Sequence, residues 1–225
     1  MRTLNKETQT HLTPRKAFEI LSEGNKRFVS NLRFNRNLLQ QVNETSEGQF
    51  PFAIVLSCID SRTSAELIFD QGLGDIFSAR IAGNVLNEDI LGSMEFACQV
   101  AGSKLIVVLG HSKCGAIKGA CSHVKMGHLT GLLNKVAPAL HEVELREGRN
   151  LSPDVMVETV ALENVRYQLR SILERSPILE HMYQEGRIGL VGAMYSVESG
   201  EVTFLEQHFK ELGQQEPLKK TGTGA

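Results

Sequence analysis

Four short apolar runs lie in the middle and towards the end of the chain. They occupy residues 53–56, 76–81, 105–109 and 188–193, are rich in valine and isoleucine, and lack regular polar alternation. Runs of this kind are typical of β-strands that are covered on both faces of a sheet. We therefore predict four buried strands at these positions.

Between these runs, apolar residues recur at helical spacing. The pattern predicts helices over residues 64–70, 90–101, 116–124, 157–175 and 178–185. Strands that alternate with helices favour a mainly parallel sheet with helices on both sides. In AMYSVESGEVTFLEQ, the pattern predicts two strands joined at Ser199 and Gly200. The predicted fold is α/β, with a central sheet of four parallel strands plus an antiparallel edge strand, flanked by helices.

The first 50 residues have a different pattern. Apolar residues follow helical spacing behind Pro14, which predicts an amphipathic helix over residues 14–30. Residues 31–50 are polar and predict a connector with a short helix near 38–42. On an isolated helix, Phe18 and Leu21 would be exposed. We divide the chain into three parts. Residues 1–50 form a helical arm and connector, residues 51–212 an α/β domain, and residues 213–225 a flexible tail.

Charge and composition narrow the function classes. The 225 residues include 24 Lys and Arg against 26 Asp and Glu, without a basic block, so a nucleic-acid partner is not expected. The start lacks a signal peptide's apolar stretch, and no run reaches the roughly 18 residues needed to cross a membrane. We predict a cytoplasmic protein without a membrane partner. In that compartment, four cysteines favour metal ligands, catalytic groups or core residues over disulfides, and Cys98 and Cys121 fit the core.

Two polar clusters each follow a predicted strand. SCIDSR contains Cys58, Asp60 and Arg62, and GHSKCG contains His111 and Cys114. Two thiols and one imidazole suit a tetrahedral Zn2+ ion, and three protein ligands leave the fourth position free for chemistry. The sequence therefore predicts a catalytic zinc site where two strands end, within the domain at residues 51–212.

The local geometry of both clusters can also be predicted. In an extended segment alternate side chains share a face, so we expect Cys58, Asp60 and Arg62 to point the same way. Next to His111 and Cys114, glycines at 110 and 115 permit backbone shapes that larger residues resist. The two clusters would then meet around a single ion.

Asp60 has two possible roles at such a site. It could be a fourth zinc ligand that closes the site, or it could orient a zinc-bound hydroxide. Arg62 decides between these roles, because a guanidinium that binds both carboxylate oxygens keeps Asp60 ionised and away from the metal. There are two alternatives to a catalytic zinc site. One is a structural zinc site closed by four protein ligands, and the other is a zinc-free protein with a redox-active thiol at Cys114.

The residues around these clusters resemble those of the β-class carbonic anhydrases. Similar blocks extend over about residues 14 to 206 and include GQFPFAIVLSCIDSR, FDQGLGDIFSARIAGN, ILGSMEFA, IVVLGHSKCGAIKG and GLVGAMYSVESGEV. The resemblance implies zinc on Cys58, His111 and Cys114, with Asp60 and Arg62 as the orienting pair. It also implies reversible hydration of carbon dioxide to bicarbonate and a proton by zinc-bound hydroxide, in a homodimer or homotetramer. In such an assembly the N-terminal helix would contact a second subunit, which would cover Phe18 and Leu21.

The resemblance further implies substrate-binding residues. Gln49 matches a glutamine that hydrogen-bonds substrate, and Phe77, Ala82 and Phe96 match an apolar carbon dioxide pocket, with Phe96 lent by the neighbouring subunit. The family often has valine in place of Ala82 and tyrosine in place of Phe96. From the residues alone, both phenylalanines could equally belong to the core, and Gln49 could be a surface residue.

Two other functions stay open for the same site. Related proteins hydrolyse carbonyl sulfide or carbon disulfide with the same zinc, and a noncatalytic zinc protein would have Asp60 permanently bound. Some family members also bind bicarbonate in a separate pocket that includes a tryptophan. The chain has no Trp, so such a pocket would have to be built differently.

Overall fold

A five-stranded sheet forms the centre of the computed structural model, which describes residues 3–148 and 151–210. The spatial order of the strands is β2-β1-β3-β4-β5. The first four are parallel, and β5 runs antiparallel to β4, which confirms the predicted fold class. The strands are β1 (Ala53–Ser57), β2 (Ile76–Arg80), β3 (Leu105–His111), β4 (Gly189–Tyr195) and β5 (Val202–His208).

The helices cover both faces of this sheet. They are α1 (Lys6–His11), α2 (Pro14–Val29), α3 (Leu38–Glu44), α4 (Ala65–Ile68), α5 (Glu88–Glu95), α6 (Gly115–Cys121), α7 (Gly127–Leu133), α8 (Ala137–Glu147), α9 (Pro153–Arg175) and α10 (Pro177–Gln184). The single helix predicted over residues 90–101 is instead α5 followed by a wider π-helical turn, Phe96–Val100. Cys98 in that turn is buried, as predicted.

Three helices were not predicted from the sequence. In α1, KETQTH has no apolar period, and the helix begins with reciprocal bonds in which the Thr8 amide donates to Asn5 Oδ1 at 2.9 Å and the Asn5 amide to Thr8 Oγ1 at 3.1 Å. In α7, two glycines weaken the helical pattern. Helix α8 has a proline in its first turn and is joined to α9 by ion pairs such as Arg146 to Glu163 at 3.2 Å.

The strand β2 differs from the prediction of a strand buried on both faces. Ile76 is buried, whereas Ser78 and Arg80 are exposed, and the intervening residues are half-buried. The reason is its place at the edge of the sheet, where β1 is its neighbour on one side. The strands β1, β3 and β4 are buried throughout, as predicted.

One face of the sheet packs against α9. Ile54 and Leu56 of β1 belong to the same apolar cluster as Val165 and Leu169 of α9. Helix α9 also approaches β3 closely at Gly110, where an added Cβ would lie 2.6 Å from Val165 Cγ2. The long helix therefore lies directly behind the strand that carries His111.

The opposite face packs against α2. Leu21 is fully buried in this chain, and Phe18 is half-buried with its ring 4.8 Å from that of Phe204, centre to centre. The expectation that Phe18 and Leu21 need a second subunit to cover them was therefore wrong. Gly24 allows the close approach of α2 to α4, since an added Cβ would lie 1.8 Å from the carbonyl oxygen of Phe69.

The domain boundaries inferred from the sequence stay predictions. The tail predicted over residues 213–225 lies outside the described residues. Among the residues that are described, no helix combines the length and apolar character that a membrane crossing requires.

Candidate metal centre

Three side chains from distant parts of the chain meet at the carboxyl end of the central strands. The ligand atoms of Cys58, His111 and Cys114 all lie within 4.8 Å of one another. The two sulfur atoms are 4.0 Å apart. All three residues are buried, with exposed fractions of 4%, 1% and 1%. The prediction that the two sequence clusters meet is confirmed.

The strand register explains this meeting. Cys58 directly follows β1, and His111 is the last residue of β3. Because Ser57, the last residue of β1, pairs with Leu109 in the parallel ladder, Cys58 comes level with the last two residues of β3, next to His111. Cys114 precedes α6 after a short turn, which brings the second sulfur back to the same point.

His111 shows that the cluster fits a metal ion. Its Nδ1 lies 2.9 Å from the carbonyl oxygen of Ser112, which selects the tautomer with the proton on Nδ1. Its Nε2 is buried, and no residue in the described part of the chain gives it a hydrogen-bond partner. A buried imidazole nitrogen with a free lone pair beside two sulfurs is the donor set that zinc prefers.

The two sulfurs also influence each other's protonation. A hydrogen bond from the Cys114 thiol lowers the pKa of Cys58, and the same contact raises the pKa of Cys114. The backbone amide of Gly83 also donates to Cys58 Sγ at 3.4 Å. Since a divalent cation favours the thiolate form of both residues, this pair suits a metal better than it suits two neutral thiols.

Asp60 and Arg62 form the predicted two-point contact. Arg62 Nε donates to Asp60 Oδ1 at 2.9 Å, and Nη2 donates to Oδ2 at 2.8 Å. The Arg62 backbone amide adds a third bond to Oδ1 at 3.0 Å. The guanidinium holds the pKa of Asp60 well below its ordinary value, so the carboxylate is ionised. Asp60 is not part of the three-residue cluster in this arrangement.

The path of the chain through these residues differs from the extended segment that we predicted. A turn at Ser61 and Arg62 folds the arginine back onto Asp60. The turn is closed by the Thr63 amide, which donates to the Asp60 carbonyl oxygen at 3.0 Å. The shared direction of Asp60 and Arg62 therefore comes from a turn and not from strand alternation.

Sequence reasoning missed two residues that hold this turn. Arg80 donates to the carbonyl oxygens of Cys58 and Asp60, at 3.1 and 2.7 Å. The Thr63 hydroxyl lies 3.0 and 2.9 Å from the same two oxygens and donates its single hydrogen to this pair. The sequence carries no signal for Arg80, because it does not reveal that β2 lies next to β1 in the sheet.

A buried amide pair on α9 supports the other side of Cys58. Asn164 Nδ2 donates to the Gly83 carbonyl oxygen at 2.9 Å, and Gln168 Nε2 donates to Asn164 Oδ1 at 3.0 Å. Gln168 Oε1 in turn accepts the Leu86 amide at 3.0 Å. Both side chains are buried, and their positions within an apolar helix face are a signal that we did not use.

The glycines beside the second cluster act differently from the prediction. The left-handed residue of the turn is Lys113, with φ 55°, and neither Gly110 nor Gly115 has a positive φ. Gly110 is needed for space, since an added Cβ would lie 2.6 Å from Met194 Sδ.

The four residues assigned to substrate binding lie in three places. Phe77 and Phe96 have ring centres 6.3 Å apart and line a cavity of about 740 Å³ whose lining includes none of the three ligands. Ala82 begins a short 3-10 turn that also contains Gly83, the residue bonded to Cys58. Gln49 is exposed and lines a groove between α3 and Gly74. Within one chain, Ala82 alone of the four adjoins a residue bonded to a metal ligand.

Comparison with known proteins gives the class of this fold and site. Residues 53–202 match the family model described as carbonic anhydrase. Carbonic anhydrase 2 of Mycobacterium tuberculosis is 35% identical over 210 residues, which cover 90% of this chain and 97% of that protein. The carbonic anhydrase of Mycolicibacterium smegmatis is 33% identical over 207 residues, with 89% and 97% covered.

Solved structures agree with this class. The β-carbonic anhydrase CafA of Aspergillus fumigatus is 29% identical with a TM-score of 0.69, covering 84% of this chain and 90% of that chain. The β-carbonic anhydrase CcaA is 29% identical with a TM-score of 0.68, covering 84% and 95%. The chain belongs to the carbonic anhydrase family, in its β class. It is an enzyme of the carbonate dehydratase type, as the resemblance implied.

Proposed function

We propose that the chain catalyses the reversible hydration of carbon dioxide to bicarbonate and a proton, with Zn2+ held by Cys58, His111 and Cys114. The observation that carries this proposal is the buried Nε2 of His111, which has no hydrogen-bond partner among the described residues and lies beside two sulfurs 4.0 Å apart. Three protein ligands are the number that catalytic zinc sites use, since the fourth corner stays open.

A zinc ion bound there would supply Lewis acidity, which turns water into a nucleophile near neutral pH. The chain's own residues supply the orientation. Asp60 is ionised and held at both oxygens by Arg62, so it can accept a hydrogen bond from the attacking water and fix its direction. Because the same contact holds Asp60 back, it supports an open site over a closed one in which Asp60 is the fourth ligand.

The second part of the proposal concerns the pocket that holds the substrate. Ala82 adjoins Gly83 and is the apolar residue best placed to contact carbon dioxide within the same chain. Phe77, Phe96 and Gln49 line other surfaces of the chain. We propose that they reach the substrate from a second copy of the chain, which extends to Phe77 and Gln49 the role that the sequence implied for Phe96.

Assembly into a homodimer or homotetramer fits this arrangement. Phe96 is 51% exposed, and β2 lies at the edge of the sheet next to the Phe77 and Phe96 cavity. An exposed aromatic residue beside an edge strand is a surface that a second copy can cover. The cytoplasmic location inferred from the sequence remains part of the proposal.

Carbon dioxide is preferred over carbonyl sulfide or carbon disulfide because the curated relatives are named carbonic anhydrases. Stopped-flow hydration with zinc analysis on wild type, Cys58→Ser and Asp60→Asn tests the proposal. We expect wild type to contain zinc and to hydrate carbon dioxide, Cys58→Ser to lose both, and Asp60→Asn to keep zinc but lose about 100-fold in rate. Zinc-loaded wild type that hydrolyses carbonyl sulfide but does not hydrate carbon dioxide would overturn it.

A further inference from the structure

The turn between two of the metal ligands contains a residue in an unfavourable backbone conformation. Lys113 lies between His111 and Cys114 and has φ 55°. The left-handed region is disfavoured for a residue with a Cβ atom, so other contacts must hold Lys113 there. Any relaxation of this residue would move His111 and Cys114 relative to each other.

A carboxylate from α9 holds the backbone at this point. The Lys113 amide donates to Glu158 Oε1 at 2.7 Å, which joins residues 45 positions apart. Hydrogen bonds from an amide to a carboxylate are shorter and stronger than those to a neutral acceptor. The bond ties the strained residue to the long helix that packs behind β3.

The preceding residue is held from another side. The Ser112 amide donates to the Tyr195 carbonyl oxygen at 2.9 Å, and the Ser112 hydroxyl accepts the Val197 amide at 3.1 Å. These bonds fix Ser112 to the end of β4. Glu158 fixes the backbone of the remaining residue of the turn, Lys113, immediately before Cys114.

The surroundings leave the turn room to move. Lys113, Cys114 and Glu158 line one cavity of about 650 Å³, together with Asp154 and Glu198. The turn therefore borders open space on this side. The Glu158 carboxylate restrains the Lys113 backbone here, and Glu198 contacts the Lys113 side chain.

We infer that Glu158 is a positioning residue for the metal centre, holding Lys113 left-handed so that His111 and Cys114 converge on one ion. The inference rests on the proposed function, since it assumes that the cluster binds zinc. Glu158 contacts a backbone amide and acts through it. Its loss should weaken metal retention directly, and activity only as a consequence.

The rate at which zinc passes from the loaded protein to an excess of a coloured chelator tests this inference. We expect Glu158→Ala to release zinc about 10-fold faster than wild type, a typical cost of removing a group that orients metal ligands. Glu158→Gln should stay close to wild type, because its amide oxygen can accept the same N–H. Glu198→Ala is the matched control, since Glu198 contacts the Lys113 side chain, at 2.6 Å from Nζ, and not its backbone.

A second change separates positioning from a general loss of stability. Glycine adopts a positive φ without a steric penalty, so Lys113→Gly in the Glu158→Ala background should restore slow zinc release. Circular dichroism of each variant checks that it folds. If Glu158→Ala does not fold, Glu158→Asp, one methylene shorter, should give faster release in its place.

Several results would overturn the inference. Zinc release from Glu158→Ala at the wild-type rate would do so, as would equally fast release from Glu198→Ala, or no recovery on adding Lys113→Gly. In each of these cases wild type still holds zinc, so the proposed function stands. Wild type that binds no zinc would overturn both.

Discussion

The sulfur atoms of Cys58 and Cys114 lie 4.0 Å apart, although 56 positions of sequence separate the two residues. The parallel pairing of β1 with β3 brings them together, because Ser57 at the end of β1 pairs with Leu109, two residues before the end of β3. Cys58 after β1 and His111 at the end of β3 therefore lie at the same end of the sheet, and Cys114 follows His111 by three residues. The metal centre depends on the register of the central strands as much as on the ligands themselves.

Arg62 should control activity without controlling metal content. Arg62→Ala leaves Cys58, His111 and Cys114 intact but removes both guanidinium contacts to Asp60. We predict that zinc content stays at the wild-type level while the hydration rate falls by about 10- to 100-fold. Stopped-flow hydration and metal analysis on the same sample measure the two effects.

Two further variants sharpen this prediction. Arg62→Lys keeps the charge but cannot bind both carboxylate oxygens, so it should recover only part of the rate. Arg187→Ala, which removes an exposed ion pair with Glu185, should leave the rate unchanged. Full recovery in Arg62→Lys would show that charge, and not the two-point contact, is what Asp60 requires.

Asn164 should affect both stability and metal affinity. Its removal in Asn164→Ala leaves the Gly83 carbonyl oxygen and the Gln168 amide without their buried partner. We predict a loss of about 2 kcal/mol in the free energy of unfolding, measured by urea denaturation. Since Gly83 also donates to Cys58 Sγ, zinc affinity measured by chelator competition should fall about 10-fold. Lower stability with unchanged zinc affinity would limit Asn164 to a role in the fold.

Asp70 should make stability depend on pH in acid. Its side chain is 2% exposed, and it pairs with Arg27 Nε at 2.6 Å and with Arg36. Burial favours the neutral acid, but the two guanidinium groups outweigh it and lower the pKa of Asp70. The folded pKa thus lies below the unfolded value of about 3.9. The stabilisation is present above about pH 4 and is lost as the pH falls towards the folded pKa.

Urea unfolding of Asp70→Asn at several pH values measures this effect. We predict that the substitution costs about 3 kcal/mol at pH 7, since it leaves two guanidinium groups without their carboxylate. The gap to wild type should narrow below about pH 4. Any loss of metal in acid affects both proteins alike. Glu7→Gln, at an exposed position of α1, is the control and should change little. A gap of the same size at pH 3 and pH 7 would contradict the prediction.

The sequence was sufficient to predict the elements that are defined by a short run of apolar residues. The buried strands β1, β3 and β4 are continuous apolar runs. The three ligands lie at or just after the ends of β1 and β3. The sequence was insufficient where tertiary contacts decide. Helix α8 depends on its contacts with α9, and β2 looked buried because its position in the sheet cannot be read from its residues.

The same distinction applies to the metal centre. The pairing of Asp60 with Arg62 could be predicted from their spacing and charge, whereas the turn that creates it depends on Thr63 and Arg80. The left-handed conformation of Lys113 could not be predicted. Glycine adopts a positive φ most readily, so the sequence pointed to Gly110 and Gly115 instead of the lysine between them. Its partner Glu158 lies 45 positions away on another helix.

Removal and return of zinc test the central claim most directly. Wild-type protein is stripped with a chelator, its carbon dioxide hydration is measured by stopped flow, and zinc is then added back in steps. We predict that hydration disappears with the metal and returns in proportion to zinc, up to one ion per chain. A stripped protein that still hydrates carbon dioxide, or a reloaded protein that does not, would contradict the account.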